Sequence, residues 1–458
     1  MAEIGTPQRP LRVAIVGSGP SGFFAAETLL KSLVVCAVDM FERLPVPFGL
    51  VRGGVAPDHP KIRSASRVFE KTAEHERFRY FGNVTIGRDL PIEELRHFYD
   101  AILLAYGAEG DRPMDVPGES LPGSHAATAF VGWYNAHPDY RNERFDLSCE
   151  TAVVVGMGNV AMDVARMLAT PVDILKTTDI ADYALDALAE SNIREIHIVA
   201  RRGPAQVKCT LPELKEMAEI PGATPMVEPD EFSLTPACRQ EIDASPGLKR
   251  IIEVLEEYSH NRPADGRRVR FRFFLAPAAV LGGDRVEAMC FERTRLAGEP
   301  GRQKAWGTGT LVDIPCGLVF RSVGYRGRPM PGVPFNEKTG TIPHTGGRVE
   351  DNGRELPGLY VAGWIKRGPT GVIGTNKPDS LETVKTLLSD LERLTPCAEP
   401  DSDAVERVLK NRGVRVVSYA DWKRIDAAEV ARGAARGKPR ERFSRIEDML
   451  AVLDNYQP

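Results

Sequence analysis

Leu11-Arg12-Val13-Ala14-Ile15-Val16, then Gly17-Ser18-Gly19-Pro20-Ser21-Gly22, then residues 23–33 (FFAAETLLKSL) is the stretch whose reading decides the fold. The first six residues form a short, apolar, β-rich run, the pattern of a strand buried on both faces of a parallel sheet. The last eleven read as a helix. Between them stands G-x-G-x-x-G in the strand–turn–helix context that gives this motif meaning. Gly17 permits the tight turn, Gly19 lets the backbone approach a pyrophosphate, and Gly22 lets helix and strand pack closely. Pro20 and Ser21 complete the turn, and a pyrophosphate resting there meets the free N–H groups and positive dipole end of the helix. A second strand, residues 34–41 (VVCAVDMF), leads to Glu42, 25 residues after Gly17. A carboxylate at that point accepts hydrogen bonds from the ribose hydroxyls of an adenosine.

The pattern recurs. Residues 148–155 (SCETAVVV) run into Gly156-Met157-Gly158-Asn159-Val160-Ala161, a G-x-G-x-x-A, and then the helical stretch 162–169 (MDVARMLA). The next strand of this unit, residues 193–200 (IREIHIVA), ends in Arg201-Arg202 rather than in an acid. Two guanidiniums there suit the 2′-phosphate of NADP; the alternative is a solvated basic turn. Residues 177–191 (TTDIADYALDALAES) fill the gap before that strand and predict an inserted helix. Two dinucleotide units imply two nucleotides, and FAD beside NADPH makes a hydride relay. The acid-ended first site suits FAD and the Arg-ended second site suits NADPH.

Downstream come ladders of short strands over 268–281, 285–296 and 317–325, then a Pro/Gly-rich hinge at 327–334 (GRPMPGVP). Residues 356–364 (LPGLYVAGW) read as a strand. They lead into a Gly-rich turn, 367–374 (RGPTGVIG), and a helix, 379–394, which together make a second flavin-facing junction. Its backbone N–H groups suit the flavin pyrimidine, where charge builds on reduction. The expected fold class is therefore α/β, with two dinucleotide-binding, Rossmann-like three-layer domains, the NADP domain inserted in the FAD domain. The boundaries expected are 1–110 for the first part of the FAD-binding domain and 111–327 for the NADP-binding domain. Residues 328–458 then hold the second part of the FAD-binding domain with a C-terminal extension.

A chain of 458 residues with 42% hydrophobic composition is too long for one ordinary core, which agrees with that division. A net charge of −4 argues against a general nucleic-acid or membrane-surface role. No run of about 18 apolar residues predicts a membrane span. The lead MAEIGTPQRP carries neither a signal-peptide core nor an amphipathic presequence, so a cytoplasmic site is expected. The seven cysteines are scattered singly without C-x-x-C spacing, which gives no support to a metal site, a bound cluster or a redox dithiol.

Several of these segments, taken in order, carry a resemblance. They are Gly17–Ala26, residues 46–60 (VPFGLVRGGVAPDHP), 129–135 (AFVGWYN), 158–166, 201–204 and 363–374 (GWIKRGPTGVIG), with the tail 413–439. The chain closely resembles adrenodoxin reductase and its bacterial ferredoxin–NADP reductase relatives over nearly its whole length. The resemblance implies FAD, NADPH and a [2Fe–2S] acceptor. It alone leaves a mitochondrial matrix as the alternative to a cytoplasmic site. It implies flavin contacts at Glu42, Leu50, Ile86, Trp364 and Gly371, Val372 and Ile373. It implies NADP contacts at Met157, Gly158, Asn159, Val160, Arg201, Arg202, Glu213 and Gly371. It places His59, Glu213 and Asp163 near flavin and nicotinamide as catalytic candidates. Read from the residues alone, His59 could equally order its loop, Asp163 could serve helix polarity, and Glu213 could cap the helix it opens.

The function expected is hydride transfer from NADPH through FAD, with single electrons passed to a ferredoxin or adrenodoxin-like protein. The alternative is an NADPH diaphorase or quinone reductase with a small-molecule acceptor. A monomer is expected. An acidic acceptor calls for a basic rim, for which Lys208, Lys249, Arg250, Arg268, Arg270 and Arg272 are the candidates. Disulfide reductases of similar nucleotide folds carry a dithiol near the flavin; here Trp364 follows Gly363 and no dithiol is present.

Overall fold

Burial on both faces accounts for the mainly apolar strand Leu11–Val16, in which even Arg12 is buried. All six residues of Leu11–Val16 are buried. They are flanked by Cys36–Phe41 on one side and Ala101–Leu104 on the other, both parallel. The computed structural model describes residues 3–454. In it, Leu11–Val16 lies inside a seven-stranded sheet. The strand order is His344–Thr345, Arg348–Asp351, Arg354–Val361, Ala101–Leu104, Leu11–Val16, Cys36–Phe41, Phe78–Phe81. Arg354–Val361 joins parallel to Ala101–Leu104, and the two strands outside it are antiparallel.

A second sheet holds six strands in the order Ser124–Ala126, Leu318–Arg321, Thr151–Val155, Glu195–Val199, Arg267–Arg272, Ala223–Val227. Every pairing in it is parallel. The chain leaves the first sheet after Leu104 and rejoins it at His344. On the way its two connecting stretches pair antiparallel through Gly110–Asp111 and Tyr325–Arg326. This is the doubly wound α/β arrangement expected from the repeated motif, one unit set within the other.

Two local readings are refined. Residues 268–281 are two strands rather than one ladder, because Phe274 adopts φ +59°. Arg267–Arg272 enters the second sheet, and Leu275–Leu281 turns away into a separate antiparallel sheet with Ala288–Ala297 and Lys304–Pro315. The predicted inserted helix is present as Asp182–Ala189, shorter than the stretch 177–191, and a separate helical turn, Val172–Leu175, precedes it. The helix Pro20–Leu30 packs on Asn376–Ser389, where the Ser380 hydroxyl donates to the Ser21 carbonyl at 3.0 Å. The seven cysteines are all free, six of them buried. Among the described residues no helix is long and apolar enough to cross a membrane.

Candidate active site

The two glycine turns have the same geometry. Gly17 takes φ +107° and Gly156 φ +127°, values that side chains resist. Their N–H groups donate to the end of the neighbouring strand, Phe41 O and Val199 O, both at 2.8 Å. Each turn feeds a helix whose first residues have no side-chain cap, Pro20–Leu30 after Gly19 and Asn159–Ala169 after Gly158. Uncapped N–H groups remain for an anion. A Cβ built on Gly19 or Gly158 meets no atom within 4 Å, so the space before each helix is open. A Cβ on Gly22 would lie 2.2 Å from Gly17 O, which is the close helix–strand approach that motif position implies. The chemistry of both sites therefore fits a pyrophosphate.

One cavity of ≈ 940 Å³ joins the two units, large enough for a nucleotide pair to enter. From the first unit Gly17, Gly19, Pro20, Ser21, Glu42, Leu50 and Ile86 line it. Trp364, Gly371, Val372 and Ile373 line it from the returning segment, and Asn159, Val160, Asp163 and Glu213 from the second unit. Gly22, Met157, Gly158, Arg201 and Arg202 lie outside its lining; Met157 is buried, its carbonyl accepting from the Lys208 N–H at 3.0 Å. Glu42 accepts from the Ser18 hydroxyl at 2.6 Å and from the Leu44 N–H at 3.1 Å, which holds its carboxylate at the cavity wall. Gly371 has φ +81°, and a Cβ there would lie 2.3 Å from Thr375 Oγ1, so the turn itself demands glycine. Trp364 donates from Nε1 to Thr370 O at 3.2 Å and packs its ring 5.4 Å from Tyr325.

His59, Asp163 and Glu213 meet around a residue that the sequence reading did not single out, Arg166. Its guanidinium reaches Asp163 at 2.5 Å, Asp58 at 2.6 Å and Glu213 at 3.0 Å. His59 Nε2 lies 2.8 Å from Glu216, and its Nδ1 lies 3.8 Å from Glu213. Four carboxylates thus face one arginine and one histidine in a largely buried cluster. Burial, and then the charge of Asp163, push the Glu213 carboxyl up to about 7. Burial likewise raises Asp163, against the pull of Arg166. Burial alone would lower Arg166, but Asp163 and Asp58 hold it above its ordinary value. Glu213 does not cap its helix, since no side chain caps Leu211–Glu216; it is an ion-pair partner whose proton sits near neutrality. His59, Glu213 and Glu216 bring ligand-type atoms within 4.8 Å of one another, but Arg166 already supplies their positive charge.

Arg201 and Arg202 end the strand Glu195–Val199 and its short extension, as expected. Their carbonyls accept from the Thr294 hydroxyl at 2.7 Å and the Phe274 N–H at 3.2 Å. Among the described residues neither guanidinium has an ion-pair partner within 4 Å. Burial, and then the neighbouring charge of Arg201, lower Arg202. Such an unneutralised pair favours a phosphate dianion. The rim candidates divide. Arg268 and Arg270 are tied to Glu195, and Arg272 to Glu231 at 2.8 Å, so these three face a carboxylate ladder across the sheet. Lys208, Lys249 and Arg250 are exposed.

A class follows from two Rossmann-type units, one cavity and no dithiol: a flavin- and pyridine-nucleotide-dependent oxidoreductase. No protein-family model matches the sequence, but individual proteins do. The chain is 47% identical over 463 residues to the mitochondrial NADPH:adrenodoxin oxidoreductase of Salvelinus fontinalis, spanning 98% of this chain and 92% of that enzyme. It is 48% identical over 459 residues to the NADPH-ferredoxin reductase FprA of Mycobacterium tuberculosis, spanning 97% and 99%. The structure of that FprA in complex with NADPH superposes with a TM-score of 0.92 at 47% identity, covering 97% of this chain and 99% of that one. The chain belongs to the family of NADPH:adrenodoxin and NADPH–ferredoxin oxidoreductases, and FAD and NADPH are its cofactors.

Proposed function

We propose that this enzyme oxidises NADPH and delivers the electrons one at a time to a [2Fe–2S] protein of the ferredoxin or adrenodoxin kind. The observation that carries the reading is the pair of uncapped helix starts after two glycine turns, with Gly17, Gly19 and Glu42 of the first unit and Asn159 and Val160 of the second lining one cavity. When bound, FAD supplies hydride acceptance and single-electron release.

The chain's own residues do the rest. The turn containing Gly17, Gly19, Pro20, Ser21 and Gly22 holds the FAD pyrophosphate, and Glu42 accepts from the adenosine ribose. Leu50, Ile86, Trp364, Val372 and Ile373 enclose the flavin and exclude water. Met157, Gly158, Asn159 and Val160 hold the NADP pyrophosphate, and Arg201 and Arg202 bind its 2′-phosphate. Gly371 leaves the nicotinamide room to approach. Glu213 keeps a proton at the cavity wall near neutral pH, with Asp163 and His59 beside it. The division into 1–110, 111–327 and 328–458 is part of this reading; membership of the two sheets supports it. Lys208, Lys249 and Arg250 form the basic rim for an acidic acceptor. A cytoplasmic site is the reading supported by the likeness to a bacterial enzyme.

The test is cytochrome c reduction with NADPH and then NADH, with and without an added [2Fe–2S] ferredoxin. A rate that requires NADPH and rises strongly with ferredoxin is expected. A flavoprotein that reduces ferricyanide but ignores every ferredoxin would move the acceptor to a small molecule.

A further inference from the structure

The loop that carries His59 is gripped at two places. At His59 itself the second unit takes hold through Glu216, and at Asp58 through Arg166. The other grip comes from the far end of the chain. After the helix Tyr419–Ala434, which packs Trp422 and Ile425 into the first core, the segment 436–443 crosses to the second unit. Arg442 is buried there, 5% exposed. Its guanidinium pairs with Asp179 of the second unit at 2.6 Å and donates to Arg52 O of the loop at 2.5 Å and to Asn135 O at 3.2 Å. Arg63, whose N–H bonds back to His59 O, pairs with the same Asp179 and donates to Val55 O at 2.5 Å. Four residues earlier in the segment, Lys438 donates to Ile180 O and to Asp182, both at 2.6 Å.

Fully desolvated cations of this kind fix geometry, because each hydrogen bond lost leaves a buried group without a partner. The anchors lie on three parts of the chain: the His59 loop, the second unit, and the C-terminal segment. None of them is in the nucleotide-binding turns.

We propose that residues 438–442 form a strap that fixes the His59 loop against the second unit, with Arg442 as the positioning residue for the hydride-transfer geometry. The proposal rests on the NADPH–flavin reading for its catalytic consequence but not for its structural one. The test compares holoenzyme with Arg442→Met and Arg442→Lys by amide hydrogen exchange over residues 52–63 and by anaerobic, single-turnover reduction of the bound flavin with NADPH.

With flavin content intact, Arg442→Met should exchange faster over residues 52–63 while the strands Leu11–Val16 and Thr151–Val155 stay protected. Its flavin reduction should slow about tenfold to a hundredfold, reduction by dithionite should be unaffected, and Arg442→Lys should recover part of both losses. Unchanged exchange in a flavin-loaded Arg442→Met variant overturns the strap, and faster exchange with an unaltered NADPH rate overturns Arg442 as a positioning residue. Should that variant not fold, Lys438→Met, which removes the other anchor, carries the same comparison. A parent enzyme whose flavin NADPH does not reduce refutes the functional reading, while the exchange measurement still judges the strap.

Discussion

Glu213 is a carboxyl whose protonation the fold shifts into the neutral range. Its carboxyl is lifted to about 7 from an ordinary value of 4.5. The folded state therefore binds this proton more tightly than the unfolded chain does. Its contribution is complete below about pH 4.5 and is lost as pH rises through about 7. Glutamine mimics the protonated acid, so Glu213→Gln should melt above the parent at pH 8, by roughly 2 °C, with the gap closing toward pH 5; calorimetry across that range reads it. A gap that does not vary with pH would remove Glu213 as the titrating group. At the other end of the nucleotide, Arg201→Ala with Arg202→Ala should raise KM for NADPH roughly tenfold to a thousandfold, about 1.4–4 kcal/mol, leaving NADH little changed. Equal losses with both nucleotides would count against the 2′-phosphate role. Arg201 and Arg202 could be singled out in the sequence because they end the strand that follows a glycine turn, whereas Glu213 was marked only by the family resemblance. Neither Arg166 nor Glu216 was singled out. Arg166 reaches Asp58 across 108 positions and Glu213 across 47, and Glu216 meets His59 across 157. Pairings of that range leave no periodic signal.

Strands and helices follow a local period, and that is why the two nucleotide units could be read so fully. The motif is written within a dozen residues, and each of its glycines answers to a different neighbour. This separates two substitutions in one turn. Gly19→Ala has open space around its Cβ and should leave the apoprotein's stability within about 0.5 kcal/mol of the parent. It should nevertheless lose FAD, as flavin absorbance of the purified protein would report. Gly22→Ala meets Gly17 O at 2.2 Å and should destabilise the apoprotein itself, by about 1–3 kcal/mol. If both behaved alike in the apo state, the open space at Gly19 would not be reserved for a ligand. What the period could not give was where a strand changes sheets. At Phe274 the chain turns through φ +59° with no glycine to mark it, and apolar residues continue on either side.

For the whole molecule the decisive quantity is the distribution of charge over an enzyme of net charge −4. Three of the six candidate rim residues proved to be bound into carboxylate pairs, which composition could not foresee, since a paired and a solvated arginine are written with the same letter. The remaining three make a sharper prediction. Charge reversal at Lys208, Lys249 and Arg250 together should slow ferredoxin reduction roughly tenfold at low salt and flatten its dependence on ionic strength, with ferricyanide reduction unchanged. An unaltered salt profile would place the acceptor elsewhere. The nesting of one sheet inside the other has a further consequence, in time rather than in space. The inner sheet has received all its strands once Arg321 has been made, whereas the outer sheet still waits for Arg354–Val361, the partner of Ala101–Leu104. On the ribosome the part of the chain begun first is therefore the part finished last. The inner unit can fold while the outer strands are held open, and on the proposed assignment of FAD to the outer unit flavin capture becomes a late event in the synthesis of the protein.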